Sequence, residues 1–271
     1  MSDIYLPQYA DFHVHTTFCD GKNTAEEMVQ NAIGKGLRVL GFSGHAPIQR
    51  ETTWAMTEQG QEEYCAEILR LKEKYKNEIS IHLGVEQDYF SHLPTDRYEY
   101  VIGSVHMIYK NGMWCDIDHN ATLLNHAIES EYNGDYYALC EEYFALAADV
   151  VRKTNADIIG HFDLVTKFCD CGVPYDKDNP RYVRAWKTAV DILIKTGKPF
   201  EINTGAISRG YRTTPYPHVD ILHYIAKNGG CAVLSADTHN KDTIAYRYDL
   251  SEALVKETGV PLVNQIREIC F

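Results

Sequence analysis

The chain has 271 residues, 45% of them hydrophobic and 24% charged, with a formal net charge of −12. That length buries a large core, and α/β barrels of this size form one domain. The acidic balance argues against nucleic acid or an anionic membrane surface as the main partner, but bound cations would reverse the local field for a phosphorylated ligand.

In chain order, the first informative run is Ala10-Asp11-Phe12-His13-Val14-His15, followed by Asp20-Gly21. Side chains two apart on a strand share a face. An extended run therefore projects His13 and His15 together, and Asp20 can curl back from the loop beyond. Two imidazoles and a carboxylate begin a zinc-type site. Thr24 and Glu27 then form a capping-box pattern, which starts a helix with Met28, Ala32 and Ile33 on its apolar side and Gly34 and Gly36 at its end. Residues 37–42 read as a second strand, ending at Ser43-Gly44-His45-Ala46-Pro47. The spacing of Tyr64, Cys65, Ile68, Leu71 and Tyr75 predicts a helix over about 58–76. A third strand, 79–85, delivers Glu86, and a fourth, 100–105, delivers His106. Residues 107–134 show no clear period and read as a long active-site loop, since loops of that length are usually functional. Helices are expected over about 135–153, 180–196, 216–228 and 249–258. Strands are expected over 157–160, 199–203 and 231–235, the first leading to His161 and the last to Asp237 and His239.

Strand and helix thus alternate about seven times. The pattern implies a parallel sheet covered by helices, and the length favours a closed or nearly closed barrel over an open doubly wound sheet, with 1–271 as a single domain. Barrel active sites lie at the C-terminal ends of the strands. Nine candidate ligands fall there or in the following loop: His13, His15, Asp20, His45, Glu86, His106, His161, Asp237 and His239. Nine exceed the needs of one ion and suit two or three divalent ions, with Glu86 as the natural bridge because a carboxylate offers two oxygens. Mixed imidazole and carboxylate ligands favour zinc, then manganese or iron, over calcium or magnesium. The histidines at 82, 92, 119, 126, 218 and 223 do not share this placement.

These motifs resemble the polymerase-and-histidinol-phosphatase (PHP) family, within it the histidinol-phosphate phosphatase branch. The resemblance runs from Asp11 to about Asp249. It rests on His13-Val-His15 with Asp20-Gly21, Gly41-Phe-Ser-Gly-His45-Ala-Pro47, Gly84-Val-Glu86-Gln-Asp88, Gly103-Ser-Val-His106, Gly160-His161-Phe-Asp163, Glu201-Ile-Asn203-Thr and Asp237-Thr-His239. It implies a distorted, TIM-like seven-stranded (β/α)7 barrel, a trinuclear metal centre held by the same nine residues, and hydrolysis of L-histidinol phosphate. The segment 203–211 departs from the branch, retaining only Arg209 of a basic pair, with Arg212 a little further on.

The chemistry expected is in-line attack on a small phosphate monoester by a hydroxide bridging adjacent ions, which also neutralise the phosphate oxygens. Arg209 suits a bidentate phosphate contact, with Arg212 a weaker candidate. Lys167, after the His161 strand, reads as a solvent-facing lysine, with a phosphate contact as the alternative. Asp116, Asp118, Glu129 and Glu131 form an acidic group able to meet the substrate's ammonium. No side-chain acid is assigned to the leaving group. Rival readings are a phosphoesterase for a nucleotide, sugar phosphate or phosphotyrosine, an amidohydrolase-like metal hydrolase, and a non-catalytic metal-binding module. The eight cysteines hold no CxxC pair and read as reduced thiols of a cytoplasmic protein, Cys169 and Cys171 included. No apolar run approaches the ~20 residues of a membrane span. Residues 1–7 lack a basic n-region and a long apolar h-region, so no leader is expected. The oligomeric state is left open.

Overall fold

The structure is a computed structural model that describes residues 10–263 except residues 51 and 174; residues 1–7 and Cys270, read above, lie outside the described residues. Nine strands occur among them: β1 (Ala10–Asp11), β2 (Val39–Phe42), β3 (Ser80–Asp88), β4 (Tyr100–Ser104), β5 (Met107–Lys110), β6 (Met113–Asp116), β7 (Ile158–Ile159), β8 (Phe200–Asn203) and β9 (Ala232–Ser235). Seven of them form one sheet in the order β1-β2-β3-β4-β7-β8-β9, each pair parallel. Just past β1 the chain meets the segment after β9. There His15 N–H donates to the Thr238 carbonyl and Thr238 N–H to the His13 carbonyl, both at 2.8 Å. The buried Asp11 carboxylate strengthens this seam by accepting the Ala236 and Ala245 N–H groups, each at 3.1 Å. The sheet therefore curls into a nearly closed barrel, as the strand–helix alternation and the resemblance led us to expect.

The barrel's inner plug is Ala10, Phe12, Val39, Tyr100, Ile102, Ile158 and Val233. Tyr100 spans it, its hydroxyl donating to the Phe12 carbonyl at 2.6 Å and the Phe42 carbonyl at 3.1 Å. Its ring lies against Gly41 and Gly84, where an added Cβ would overlap the phenol. Those two glycines are there for space.

Helices α1 (Ala25–Gly34), α2 (Glu58–Lys74), α3 (Ala121–Tyr132), α4 (Tyr136–Thr154), α5 (Pro180–Leu193), α6 (Gly205–Ser208), α7 (Val219–Lys227) and α8 (Tyr248–Thr258) complete the chain. Thr24 and Glu27 form the expected capping box at α1. Asn179 caps α5, with Pro180 at the first helical position where a missing N–H costs nothing. None of the described helices is long and apolar enough to cross a membrane.

The segment 107–134 is not the long loop expected. Strands β5 and β6 form an antiparallel hairpin around Asn111 and Gly112, whose φ angles are 51° and 85°, and Asn120 caps α3. Positive φ at both central positions is what a type I′ hairpin demands, and Asn-Gly supplies it. The strands are only four residues each, too short for periodicity to register. Two smaller differences bear on the site. Strand β3 runs on to Asp88, paired with Ser104, so Glu86 sits within a strand rather than after one. The Asn203–Tyr211 stretch contains the short helix α6, which sets Arg209 at its C-terminal end.

Candidate metal centre

Because all seven strands run the same way, their C-terminal ends meet at one rim, and eight of the nine candidate ligands lie there at the strand ends. Asp20 arrives from the loop after β1. It stands 3.2 Å from His239 Nε2, 3.6 Å from His15 Nδ1 and 3.7 Å from His45 Nε2. Glu86, 1% exposed, occupies the centre. Its Oε1 accepts from the Ser104 hydroxyl at 2.6 Å and lies 3.0 Å from His161 Nε2 and 3.1 Å from His106 Nε2. Its Oε2 lies 2.9 Å from His45 Nδ1, 3.2 Å from His13 Nε2 and 3.5 Å from His15 Nε2. Asp237 Oδ1 adjoins this group, 3.5 Å from His15 Nε2 and 3.9 Å from His13 Nε2. All nine candidates are thus brought together.

The electrostatics of such a cluster are severe. Burial pushes His15 far down, and the neighbouring His239 and His45 push the same way. Burial also lowers His13, but Glu201, Glu86 and Asp237 outweigh it and raise it well above its ordinary value. Burial raises the Glu86 carboxyl, yet His13, His45 and His106 hold it well below the usual carboxylate range. Five imidazoles around one carboxylate cannot all carry protons without intense repulsion.

A test of fit to metal ions lies in the atoms left over. Among the described residues, His13 Nε2, His15 Nε2, His45 Nδ1 and Glu86 Oε2 are buried without a well-aligned hydrogen bond, the 2.9 Å approach of His45 Nδ1 to Glu86 Oε2 included, and all four converge on one space. Unsatisfied buried polar atoms are rare, and each costs about 1–3 kcal/mol. Their lone pairs need an electron-pair acceptor, and a divalent cation supplies one. Three overlapping groups have ligand atoms within 4.8 Å of one another: His15, Asp20, His45 and His239; His13, His15 and Glu86; and His45, Glu86 and His106. The residues present fit bound metal.

Glu201, to which the sequence assigns no role, stands behind the cluster. It is fully buried, and its Oε1 sits 2.6 Å from His13 Nδ1 while also accepting from the Ser235 hydroxyl at 2.8 Å. Its Oε2 accepts the His161 N–H at 2.9 Å and the Asn203 amide at 3.1 Å. A carboxylate on the far ring nitrogen fixes the tautomer that leaves the other nitrogen aimed at a metal. The signal available in the sequence was an ionisable residue between Phe200 and Ile202 in a buried strand, a placement that demands partners.

A cavity of about 190 Å³ opens on the cluster, walled by Trp54, Asp116, Asp118, His119, Leu164, Lys167, Arg209 and Tyr211 besides seven of the candidate ligands. Arg209 reaches it with Nη2 2.9 Å from Asp237 Oδ2 and Nη1 2.9 Å from His239 Nδ1. Arg212 does not line it: its guanidinium lies over the Tyr216 ring at 4.3 Å and donates to the Thr166 hydroxyl at 2.6 Å. Lys167 is not solvent-facing but 5% exposed, because the 3₁₀ turn Leu164–Thr166 brings it back under Tyr211. Its Nζ donates to the Asp118 carbonyl at 2.7 Å and lies 3.5 Å from the Asp118 carboxylate. Asp116 is paired with Arg50 at 2.6 Å. His119, set aside earlier, is exposed at the cavity mouth.

The fold and site together define a parallel α/β barrel with a histidine-rich cluster suited to metal binding at its C-terminal rim. The PHP domain family model matches residues 11–205, and the chain belongs to the PHP family. A probable histidinol-phosphatase of Deinococcus radiodurans is 29% identical over 92% of this chain and 93% of its own length. The histidinol-phosphatase of Bacillus subtilis is 25% identical over 89% and 97%. Among solved structures, the histidinol phosphate phosphatase of Lactococcus lactis, complexed with zinc, L-histidinol and phosphate, superposes with a TM-score of 0.71 at 22% identity, covering 94% of this chain and 95% of that one.

Proposed function

We propose that the chain is a metal-dependent phosphomonoester hydrolase that converts L-histidinol phosphate and water to L-histidinol and phosphate. The observation that carries this is the convergence of nine metal-type ligands on a small cavity whose wall also bears Arg209 and Lys167. The matching relatives bear the name of that activity.

His13, His15, Asp20, His45, Glu86, His106, His161, Asp237 and His239 would hold the ions, three of them by the three overlapping groups, with zinc favoured by the donor set. Bound there, the ions would supply Lewis-acid polarisation of the phosphoryl group and an acidified water. The protein's own residues do the rest. Glu201 and Ser104 orient the buried ligands from behind. Arg209 offers two guanidinium nitrogens to the phosphate oxygens, a geometry that guanidinium suits. Asp116 and Asp118 on the cavity wall suit the ammonium of L-histidinol, and Trp54 gives its ring a flat apolar surface. The seven described cysteines are all unpaired, which fits the reducing cytoplasm.

The test is steady-state phosphate release from L-histidinol phosphate by protein of defined zinc or manganese content, with p-nitrophenyl phosphate and a nucleoside monophosphate for comparison. The expected result is a kcat/KM above ~10⁴ M⁻¹s⁻¹ for L-histidinol phosphate, far ahead of the others. Slow, indiscriminate hydrolysis would keep the metal phosphatase and discard the substrate. No hydrolysis with metal bound would leave a binding module.

A further inference from the structure

An alkyl phosphate has a poor leaving group: the departing oxygen needs a proton as the P–O bond breaks. The cavity wall contains few groups able to give one. Four of its histidines belong to the metal cluster. The Arg209 guanidinium does not release protons at working pH. Burial acts to raise the Asp118 carboxyl, but Lys167 and His106 hold it below its ordinary value, so it is ionised at neutral pH. His119 is exposed.

We propose that the Lys167 ammonium is the general acid that protonates the leaving oxygen. Burying a lysine to 5% exposure at a polar cavity is costly, and a purely structural role would be met by a shorter or apolar side chain. Its position is fixed from three sides. The Asp118 carbonyl takes one N–H at 2.7 Å, and the rings of Phe168 and Tyr211 lie 5.4 and 5.0 Å from Nζ. An ammonium has three N–H donors, and Asp118, with its carbonyl and its carboxylate at 3.5 Å, engages at most two. Burial pushes the Lys167 pKa down. Asp118 acts against this, Arg209 reinforces it, and Asp237 opposes it, with the net result below the ordinary lysine value. That direction suits a group that must give up its proton and regain it each turnover.

This assignment rests on the phosphatase reading. In the step, the ester P–O bond breaks with its electron pair on the leaving oxygen, and Nζ delivers one proton to that oxygen. A new P–O bond forms to the attacking water, which releases one proton to solvent. The neutral amine then takes a proton from solvent.

The experiment compares zinc-loaded wild type, Lys167→Met and Lys167→Arg on two esters: L-histidinol phosphate, with a poor leaving group, and p-nitrophenyl phosphate, whose phenolate leaves without a proton. Inorganic phosphate affinity by calorimetry and the melting temperature are measured alongside. Both variants are expected to lose ~10²-fold or more in kcat on the alkyl ester and under ~10-fold on the aryl ester. Phosphate affinity should stay within about threefold for Lys167→Arg, which keeps the charge but cannot donate the proton. Equal losses on both esters, or wild-type activity in Lys167→Arg, would overturn the assignment in favour of a charge or phosphate-contact role. A wild type inactive on both esters would overturn the phosphatase reading, and this assignment with it.

Discussion

Replacing Glu201 by Gln tests whether the site is held from behind. The change keeps volume and hydrogen-bonding capacity but turns one oxygen into an NH₂. All four groups around the carboxylate point donors at it: His13 Nδ1 and the Ser235 hydroxyl on one oxygen, the His161 N–H and Asn203 amide on the other. The His161 N–H is backbone and cannot reverse, so the new NH₂ must face His13 and Ser235. The hydroxyl can rotate to accept. His13 can accept only by moving its proton to Nε2, the atom that has no partner and points at Glu86. A protonated Nε2 cannot bind a cation. Losses for carboxylates behind metal-bound histidines run at about 10–100-fold in metal affinity, or about 1.4–2.8 kcal/mol. Competition with a chromophoric zinc chelator at neutral pH reads this directly, and melting of the metal-free chains reports any separate cost in stability. Zinc affinity within threefold of wild type would refute the tautomer argument, whatever the melting temperature does.

Arg209→Lys keeps the charge but loses the planar pair of donors, so kcat/KM for the phosphate ester should fall by about 10- to 100-fold; an unchanged value would remove Arg209 from phosphate binding. Gly84→Ala forces a methyl into the Tyr100 ring, with an expected cost of about 1–3 kcal/mol and a melting point several degrees lower. Gly34→Ala, where an added Cβ meets nothing within 4 Å and the residue ends α1, should instead stabilise by a few tenths of a kcal/mol or more. Glu99, whose partners His82 and Lys72 are not among the candidate ligands, gives a pH test. Burial pushes its carboxyl up, but hydrogen bonds from His82, Lys72 and the Leu83 N–H bring it from 4.5 down to about 2. At face value that is worth about 3 kcal/mol, of which a carboxylate one-third exposed keeps about 1 after solvent screening. A depressed folded pKa stabilises fully above the unfolded value. The stability difference between wild type and Glu99→Gln should therefore be fully present at about pH 5 and shrink as pH falls from about 4.5 towards 2. A difference that grows as pH falls below about 4.5 would contradict the sign.

The barrel and the convergence of the nine candidate residues on its rim were legible in the sequence because both follow from local patterns. A strand puts alternate residues on one face, so His13-Val-His15 declares itself without knowledge of the fold. Parallel topology, implied by strand–helix alternation, then sends every strand end to the same rim. Candidates more than two hundred residues apart, such as Asp20 and His239, could be assigned to one site before their 3.2 Å separation was seen. Tertiary structure decided what has no period. Lys167 and Arg212 look alike in sequence as basic residues in irregular segments. A single 3₁₀ turn carries one to the cavity wall, and packing on Tyr216 and Thr166 turns the other away from it. Glu201 sits between Phe200 and Ile202 in a strand whose burial was foreseeable, but its partners come from His13, 188 residues away, and from Ser235, 34 away. The 107–116 hairpin rested on Asn111-Gly112, a two-residue signal between strands too short to show alternation. Residue chemistry and strand periodicity thus fix which groups reach the rim. Which of the remaining polar groups face the cavity, and which stand behind the ligands, depends on long-range packing that no local pattern encodes.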